Sequence, residues 1–140
     1  MPVVLDIPTD GKGLHEITHL VQDAVAKSNG SGLDGLCTVF IQHTSASLTI
    51  QENADPSARR DLEAWLERSV PEDDPAYTHV DEGPDDMPSH IRSMLTDVSL
   101  GIPVQSGRLM LGTWQGIYLC EHRRSRHSRR VVVVMTPEHS

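Results

Sequence analysis

Short extended apolar runs joined by tight turns, interrupted three times by a helical hydrophobic period, restrict this chain to the α+β class with antiparallel sheets. After the extended stretch Val3 to Ile7, the residues Leu14, Ile17, Leu20, Val21, Ala24 and Val25 recur at spacings of three and four. That is the period of one buried helical face, and it predicts a helix near 13–28 that ends by Asn29-Gly30. Asp34-Gly35 supplies a turn into the strand formers Cys37 to Gln42, and Thr44 to Ile50 continues as a second extended piece. In that second piece serines and an alanine stand where bulky residues are expected, so a ligand or another backbone can approach closely. Asp55-Pro56 opens a second helix near 55–69 with Ala58, Leu62, Trp65 and Leu66 as its buried face. A third helix near 87–97 has Ile91, Met94, Leu95 and Val98 as its apolar positions. Three further strands are expected over Ser99 to Val104, Arg108 to Glu121 with bends at Gly112 and Gly116, and Val131 to Met135, the first two joined by a Ser106-Gly107 turn.

The 140 residues are read as a single domain spanning the whole chain, 1–140. At this length folding hides roughly two-thirds of the extended-chain surface, so no disulfide or structural metal is needed to complete a core. No apolar run approaches the roughly 18 residues of a membrane span, and the N-terminal segment lacks a basic region ahead of an apolar one. A cytoplasmic protein with no membrane partner is expected. Cys37 and Cys120 both fall in strand-like apolar runs, which predicts buried structural thiols. The formal net charge of -8 opposes nucleic-acid binding. Charge is also segregated: Pro71 to Asp86 holds seven carboxylates and no Lys or Arg, whereas His122 to Arg130 holds five arginines. The basic stretch is read as a solvated hairpin turn rather than a polyanion site.

Eight histidines invite a metal reading, and position separates them. His15-Glu16-Ile17-Thr18-His19 spells the core motif of a zincin metalloprotease, but a solvent-facing pair on an ordinary amphipathic helix explains the same letters. His43 ends a strand, His79 sits in the acidic loop, and His90 lies in the first turn of the third helix. Strand end, loop and helix start can converge on one point, as sites with an open coordination position are commonly built. These three are the candidate metal ligands; His15, His19, His127 and His139 are expected elsewhere.

Three long blocks carry a resemblance: Gln42 to Pro56 (QHTSASLTIQENADP), His79 followed by Glu82 to Ile91 (EGPDDMPSHI), and Leu111 to Arg123 (LGTWQGIYLCEHR). In order and in length they resemble the YjbQ family across nearly the whole chain. The resemblance implies a compact α+β fold, a homotrimeric assembly and secondary thiamine-phosphate synthase activity. The family's histidine pattern falls on His43, His79 and His90, and a family glutamate position falls on Glu121. On an extended strand Glu121 and His122 point to opposite faces.

Such a synthase joins a hydroxymethylpyrimidine diphosphate to a thiazole phosphate, so the site must bind two phosphate groups and stabilise a departing diphosphate. The candidate substrate-binding groups are Thr44, Ser45, Ser47 and Arg108, with Gln115 beside Trp114 as an amide next to a flat wall. Trp114 itself is expected in the core. Glu52 and Glu121 are the candidate catalytic carboxylates, Glu52 for orienting a ligand histidine or moving a proton. Histidine ligands suit a divalent transition metal such as zinc better than magnesium. Two other classes fit the same residues: a metal-dependent hydrolase, with Glu52 or Glu121 as base, and a non-catalytic small-molecule or metal-binding protein.

Overall fold

The computed structural model describes residues 2–28 and 32–138. The expected helix end at Asn29-Gly30 and the position of His139 lie outside the described residues. In chain order the elements are β1 (Val3–Thr9), β2 (Gly13–Glu16), α1 (Thr18–Lys27), β3 (Gly35–Ile41), β4 (Ala46–Glu52), α2 (Pro56–Ser69), α3 (Asp86–Leu95), β5 (Ser99–Gln105), β6 (Arg108–Leu109), β7 (Gln115–Glu121) and β8 (His127–Pro137). They form a five-stranded sheet in the order β1-β8-β3-β5-β6 and a three-stranded sheet in the order β2-β7-β4, with every pairing antiparallel. The α+β expectation holds, with three helices.

Alternation along the strands sorts side chains between the sheets. Val39, Ile41, Ile102, Val131 and Val133 of the large sheet meet Leu48, Ile117 and Leu119 of the small one, and α1 closes this core with Val21, Ala24 and Val25. Burying each such side chain contributes about 1.5–3 kcal/mol, so this one cluster dominates the stability. The opposite face of the small sheet carries Leu14, Tyr118 and Cys120 against Leu62 of α2. Among the described residues α2 contributes no fully buried side chain. It therefore lies over this face rather than in it.

Several expected boundaries move, each for a tertiary reason. The first helix begins at Thr18, because residues 13–16 pair as a strand with β7, Leu14 opposite Cys120. The letters His15 to His19 thus straddle a strand and a helix start, so the two histidines do not share a helical face and the zincin reading falls. The expected strand from Arg108 to Glu121 is two strands in different sheets, β6 and β7. The Ser106-Gly107 turn holds, with φ of 51° and 77°, the pair of left-handed residues that a two-residue hairpin needs. Asp55 caps α2 as expected, its Oδ1 accepting the Ser57 N–H at 2.9 Å. Trp114 is 64% exposed rather than core. Cys37 and Cys120 are free and fully buried, and burial pushes their thiols up to about 11 and about 12.

The third helix, α3, is turned over relative to expectation. Its buried residues are Asp86, Pro88, Ser89 and Arg92, while Met94 is 83% exposed and Leu95 and Val98 are exposed beside it. Polar groups have drawn this helix onto the protein through specific partners. Asp86 accepts from Arg123, and Arg92 Nη2 donates to Val70 O at 2.9 Å.

The expected solvated hairpin from His122 to Arg130 is instead a crossover between sheets, since β7 and β8 do not pair. Its arginines are engaged by carboxylates. Arg123 pairs with Asp85 and Asp86, Arg124 with Glu72, Arg126 with Asp10, Arg129 with Glu121, and Arg130 with Asp6. The acidic loop and the basic crossover are thus one interface, which brings residues 72–86 against the end of β7. Among the described residues no helix is long and apolar enough to cross a membrane.

Candidate metal centre

The pairing of acidic loop and basic crossover fixes the start of α3. Asp86 is buried there, its Oδ1 held by Arg123 Nη1 at 2.8 Å. Its Oδ2 lies 2.8 Å from His79 Nε2 and 3.2 Å from His90 Nε2, the latter one helical turn along α3. The donor atoms of His79, Asp86 and His90 all lie within 4.8 Å of one another. Burial alone would raise the Asp86 pKa, but hydrogen bonding from His79 and the charges of His90 and Arg123 outweigh it and hold the carboxyl below its ordinary value.

The second nitrogen of His90 shows what this arrangement is suited to. His90 Nδ1 lies 2.9 Å from the Thr44 carbonyl oxygen, which can only accept, so the Nδ1 proton is fixed there. Nε2 is left facing a carboxylate, where its lone pair is tolerated only if a proton or a metal ion lies between them. A ring nitrogen aimed at a carboxylate-lined centre while the other donates to a backbone carbonyl is the orientation typical of metal-ligating histidine. Two imidazoles and one carboxylate also form a donor set suited to zinc and neighbouring transition ions.

The expected third histidine is not brought to this group. His43 Nε2 accepts the Arg130 N–H at 2.8 Å, which occupies a lone pair needed for ligation, and its Nδ1 lies 3.4 Å from the Arg129 Nη1 donor. Burial, followed by the charge of Arg129, lowers the His43 pKa. Asp86 stands where His43 was expected. The signal for it is the spacing Asp86-x-x-x-His90 on a helix, which places both side chains on one face.

The expected carboxylates have different surroundings. Glu121 is fully buried and takes Arg129 Nε at 2.7 Å, Arg129 Nη2 at 2.5 Å, the Thr9 hydroxyl at 2.5 Å and the Arg123 N–H at 3.2 Å. Burial would raise its pKa, but the bonds from Arg129 and Thr9 hold it down. Both oxygens are committed, and Glu121 acts on the surroundings through Arg129, whose Nη2 lies 3.4 Å from Ser45 O. Glu52 closes the far end of β4, roughly 20 Å by strand rise from the Thr44 end. It is not brought to His79, Asp86 and His90 within the chain.

Of the expected substrate groups, Thr44 borders the cluster through its carbonyl, Ser45 follows it with its carbonyl 3.4 Å from Arg129 Nη2, and their hydroxyls have no partner among the described residues. Ser47 is buried between Thr96 Oγ1 at 2.5 Å and His122 Nε2 at 2.8 Å. Gln115 lies beside Glu52 in register and accepts the Gly112 N–H, while Arg108 borders a separate cavity with His19 and Gln22. These two are not gathered with the histidines.

His122 is 3% exposed, and burial followed by the charge of Arg92 pushes its pKa down to about 4. A histidine held neutral in the fold but free to protonate when unfolded makes stability rise with pH between the two values. The unfolding free energy is therefore expected to fall as pH drops from 6.5 towards 4, and His122→Asn to flatten that segment. Urea titrations at several pH values check this; equal slopes in variant and parent would remove His122 as the cause.

The fold and this cluster can be set beside known proteins. A family model described as UPF0047 protein YjbQ-like matches residues 4–138. The UPF0047 protein sll1880 of Synechocystis is 52% identical over 135 residues, covering 96% of this chain and 90% of the relative. The UPF0047 protein YjbQ of Escherichia coli O157:H7 is 43% identical over 134 residues, covering 96% of each. The crystal structure of the conserved hypothetical protein TT1486 from Thermus thermophilus matches with a TM-score of 0.85 at 36% identity, covering 96% of this chain and 99% of that one. With the match running through both sheets and the His79, Asp86 and His90 cluster alike, the chain belongs to the YjbQ-like UPF0047 family.

Proposed function

We propose that this protein is a metal-dependent enzyme acting on a small phosphorylated substrate, with zinc or a similar divalent ion held by His79, Asp86 and His90. The observation that carries the reading is the shared Asp86 Oδ2 between two imidazoles, one of them oriented by the Thr44 carbonyl. When bound, the ion supplies a Lewis acid able to neutralise charge developing on a phosphate-bearing leaving group. In this reading the hydroxyls of Thr44, whose carbonyl holds His90, and of the adjacent Ser45 donate to phosphate oxygens, and Arg123 fixes the carboxylate from behind.

The specific reaction that the family resemblance supplies is thiamine-phosphate synthesis, the joining of a hydroxymethylpyrimidine diphosphate to a thiazole phosphate. The working form is proposed to be a homotrimer, and the exposed apolar side of α3 (Met94, Leu95) with Val98 supports self-association by offering an unpaired hydrophobic face. Nucleic acid is not proposed as a partner, because the arginines of the crossover are paired with carboxylates. A cytoplasmic location goes with this reading.

Purified protein, loaded with zinc and given both substrates, is expected to form thiamine phosphate and to lose that activity on chelation and in His90→Ala. Diphosphate release without the thiazole partner would replace the synthase by a hydrolase. Retention of ligand with no turnover would replace both by a binding protein.

A further inference from the structure

A cavity of about 310 Å³ opens under α2, away from the histidine cluster, bordered by Lys12, Leu14, Glu63, Arg92 and His122 among others. Arg92, only 2% exposed, is a buried cation in the cavity wall. Lys12 reaches the same space and is held at 3.2 Å by Glu67, whose side chain is more than half exposed. Glu67 Oε2 also lies 3.4 Å from Arg92 Nη2. A surface carboxylate thus already occupies the place of an anion between these two cations.

His122 adds a demand for a donor. The Thr96 hydroxyl donates to the Arg92 carbonyl at 3.0 Å, so Ser47 must donate to Thr96 and His122 Nε2–H must donate to Ser47. The lone pair of His122 is then on Nδ1, and no described group donates to it. Of the other carboxylates, Glu63 Oε2 accepts the Leu14 N–H, Glu121 is neutralised by Arg129, and Glu72, paired with Arg124, lies 3.8 Å from Lys12.

We propose that this cavity binds a small oxyanion that keeps a proton near neutrality, of which hydrogen phosphate is the simplest. Its charged oxygens take Lys12 and Arg92 Nη2 in the place that Glu67 now holds, and its P–OH donates to His122 Nδ1. Glu67 swings into water as the anion enters. The low pKa of His122 supports this, since the ring stays an acceptor across the neutral range. Sulfate satisfies the cations but has no proton for His122. A phosphomonoester above its second ionisation, at about pH 6, is in the same position. The site stands independently of the metal centre and of the reaction proposed there.

Calorimetric titration near pH 8 with inorganic phosphate, sulfate and methyl phosphate tests it, carried out on the wild type, Lys12→Met, Glu67→Gln and His90→Ala. Phosphate is expected to bind about five- to tenfold more tightly than sulfate or methyl phosphate, the difference one hydrogen bond makes. Glu67→Gln should tighten phosphate binding by removing the competing carboxylate, Lys12→Met should weaken it, and His90→Ala should leave it unchanged. The imidazole nitrogen signals of His122 should shift on addition of phosphate. Equal binding of phosphate and sulfate, loss of binding in His90→Ala, or no phosphate binding in either the wild type or Glu67→Gln would overturn the proposal.

Discussion

Asp86→Ala is expected to lose stoichiometric zinc retention while keeping a folded chain. Among the described residues Asp86 Oδ2 is the one atom within hydrogen-bond distance of both His79 Nε2 and His90 Nε2, so its removal deletes a ligand and releases the two imidazoles from their common centre. Changing even a residue that merely orients a ligand costs about 10–100-fold in metal affinity, and removal of a direct ligand should exceed roughly 100-fold. The fold should survive, because Asp85 keeps its ion pair with Arg123 and its Oδ2 accepts the Arg124 N–H at 2.9 Å. His43→Ala is the informative companion, since the Arg130 N–H already occupies its Nε2. That variant should retain zinc within about tenfold of the wild type on the same scale. Metal content after exhaustive dialysis, measured with the melting temperature on one preparation, separates loss of a site from loss of a fold. Equal loss of zinc in both variants would return His43 to the centre and leave Asp86 as its support.

The contrast between His43 and Asp86 shows where sequence reasoning reaches its limit. His79 and His90 were legible because their elements, an acidic loop and a helix start, are marked by composition and by the Pro88 entry into α3. Asp86 was concealed among the seven carboxylates of one acidic loop. Only the pairing of that loop with Arg123 and Arg124 buries this one, and pairing over a separation of 37 residues leaves no local pattern. The same non-local ion pairs invert α3. Its apolar spacing correctly marks one helical face, but periodicity does not say whether that face meets this chain's core or another surface. Local chemistry fared better where it was self-contained, as in the Asp55-Pro56 cap and the Ser106-Gly107 turn. It failed at Leu14, whose spacing continues the helical pattern while its backbone is captured by the β7 edge, because tertiary pairing outweighs a helix propensity of a few tenths of a kcal/mol per residue.

Arg129→Met is expected to be the most destabilising polar substitution in the molecule, at about 3–5 kcal/mol, because it strands the Glu121 carboxylate in the core. For a chain of this size that corresponds to a fall in melting temperature of roughly 10–20 °C. The cost comes less from the lost attraction than from the remaining charge, whose other partners are the Thr9 hydroxyl and the Arg123 N–H. Replacing both partners, Arg129→Met with Glu121→Leu, should therefore recover most of the loss, as apolar replacement of buried ion pairs often does. The pH dependence provides an independent check. Arg129 and Thr9 hold the folded Glu121 pKa below its ordinary value of 4.5, so this group's contribution is present above that value and is lost as pH falls through the folded pKa. In Arg129→Met the folded pKa rises instead, since burial is no longer opposed by the guanidinium, and the carboxyl protonates at higher pH. The gap between variant and wild type should then narrow steadily from about pH 7 towards about pH 4. Urea denaturation at each pH reads it directly, and a gap that stays constant would mean that the stranded charge is not the origin of the loss.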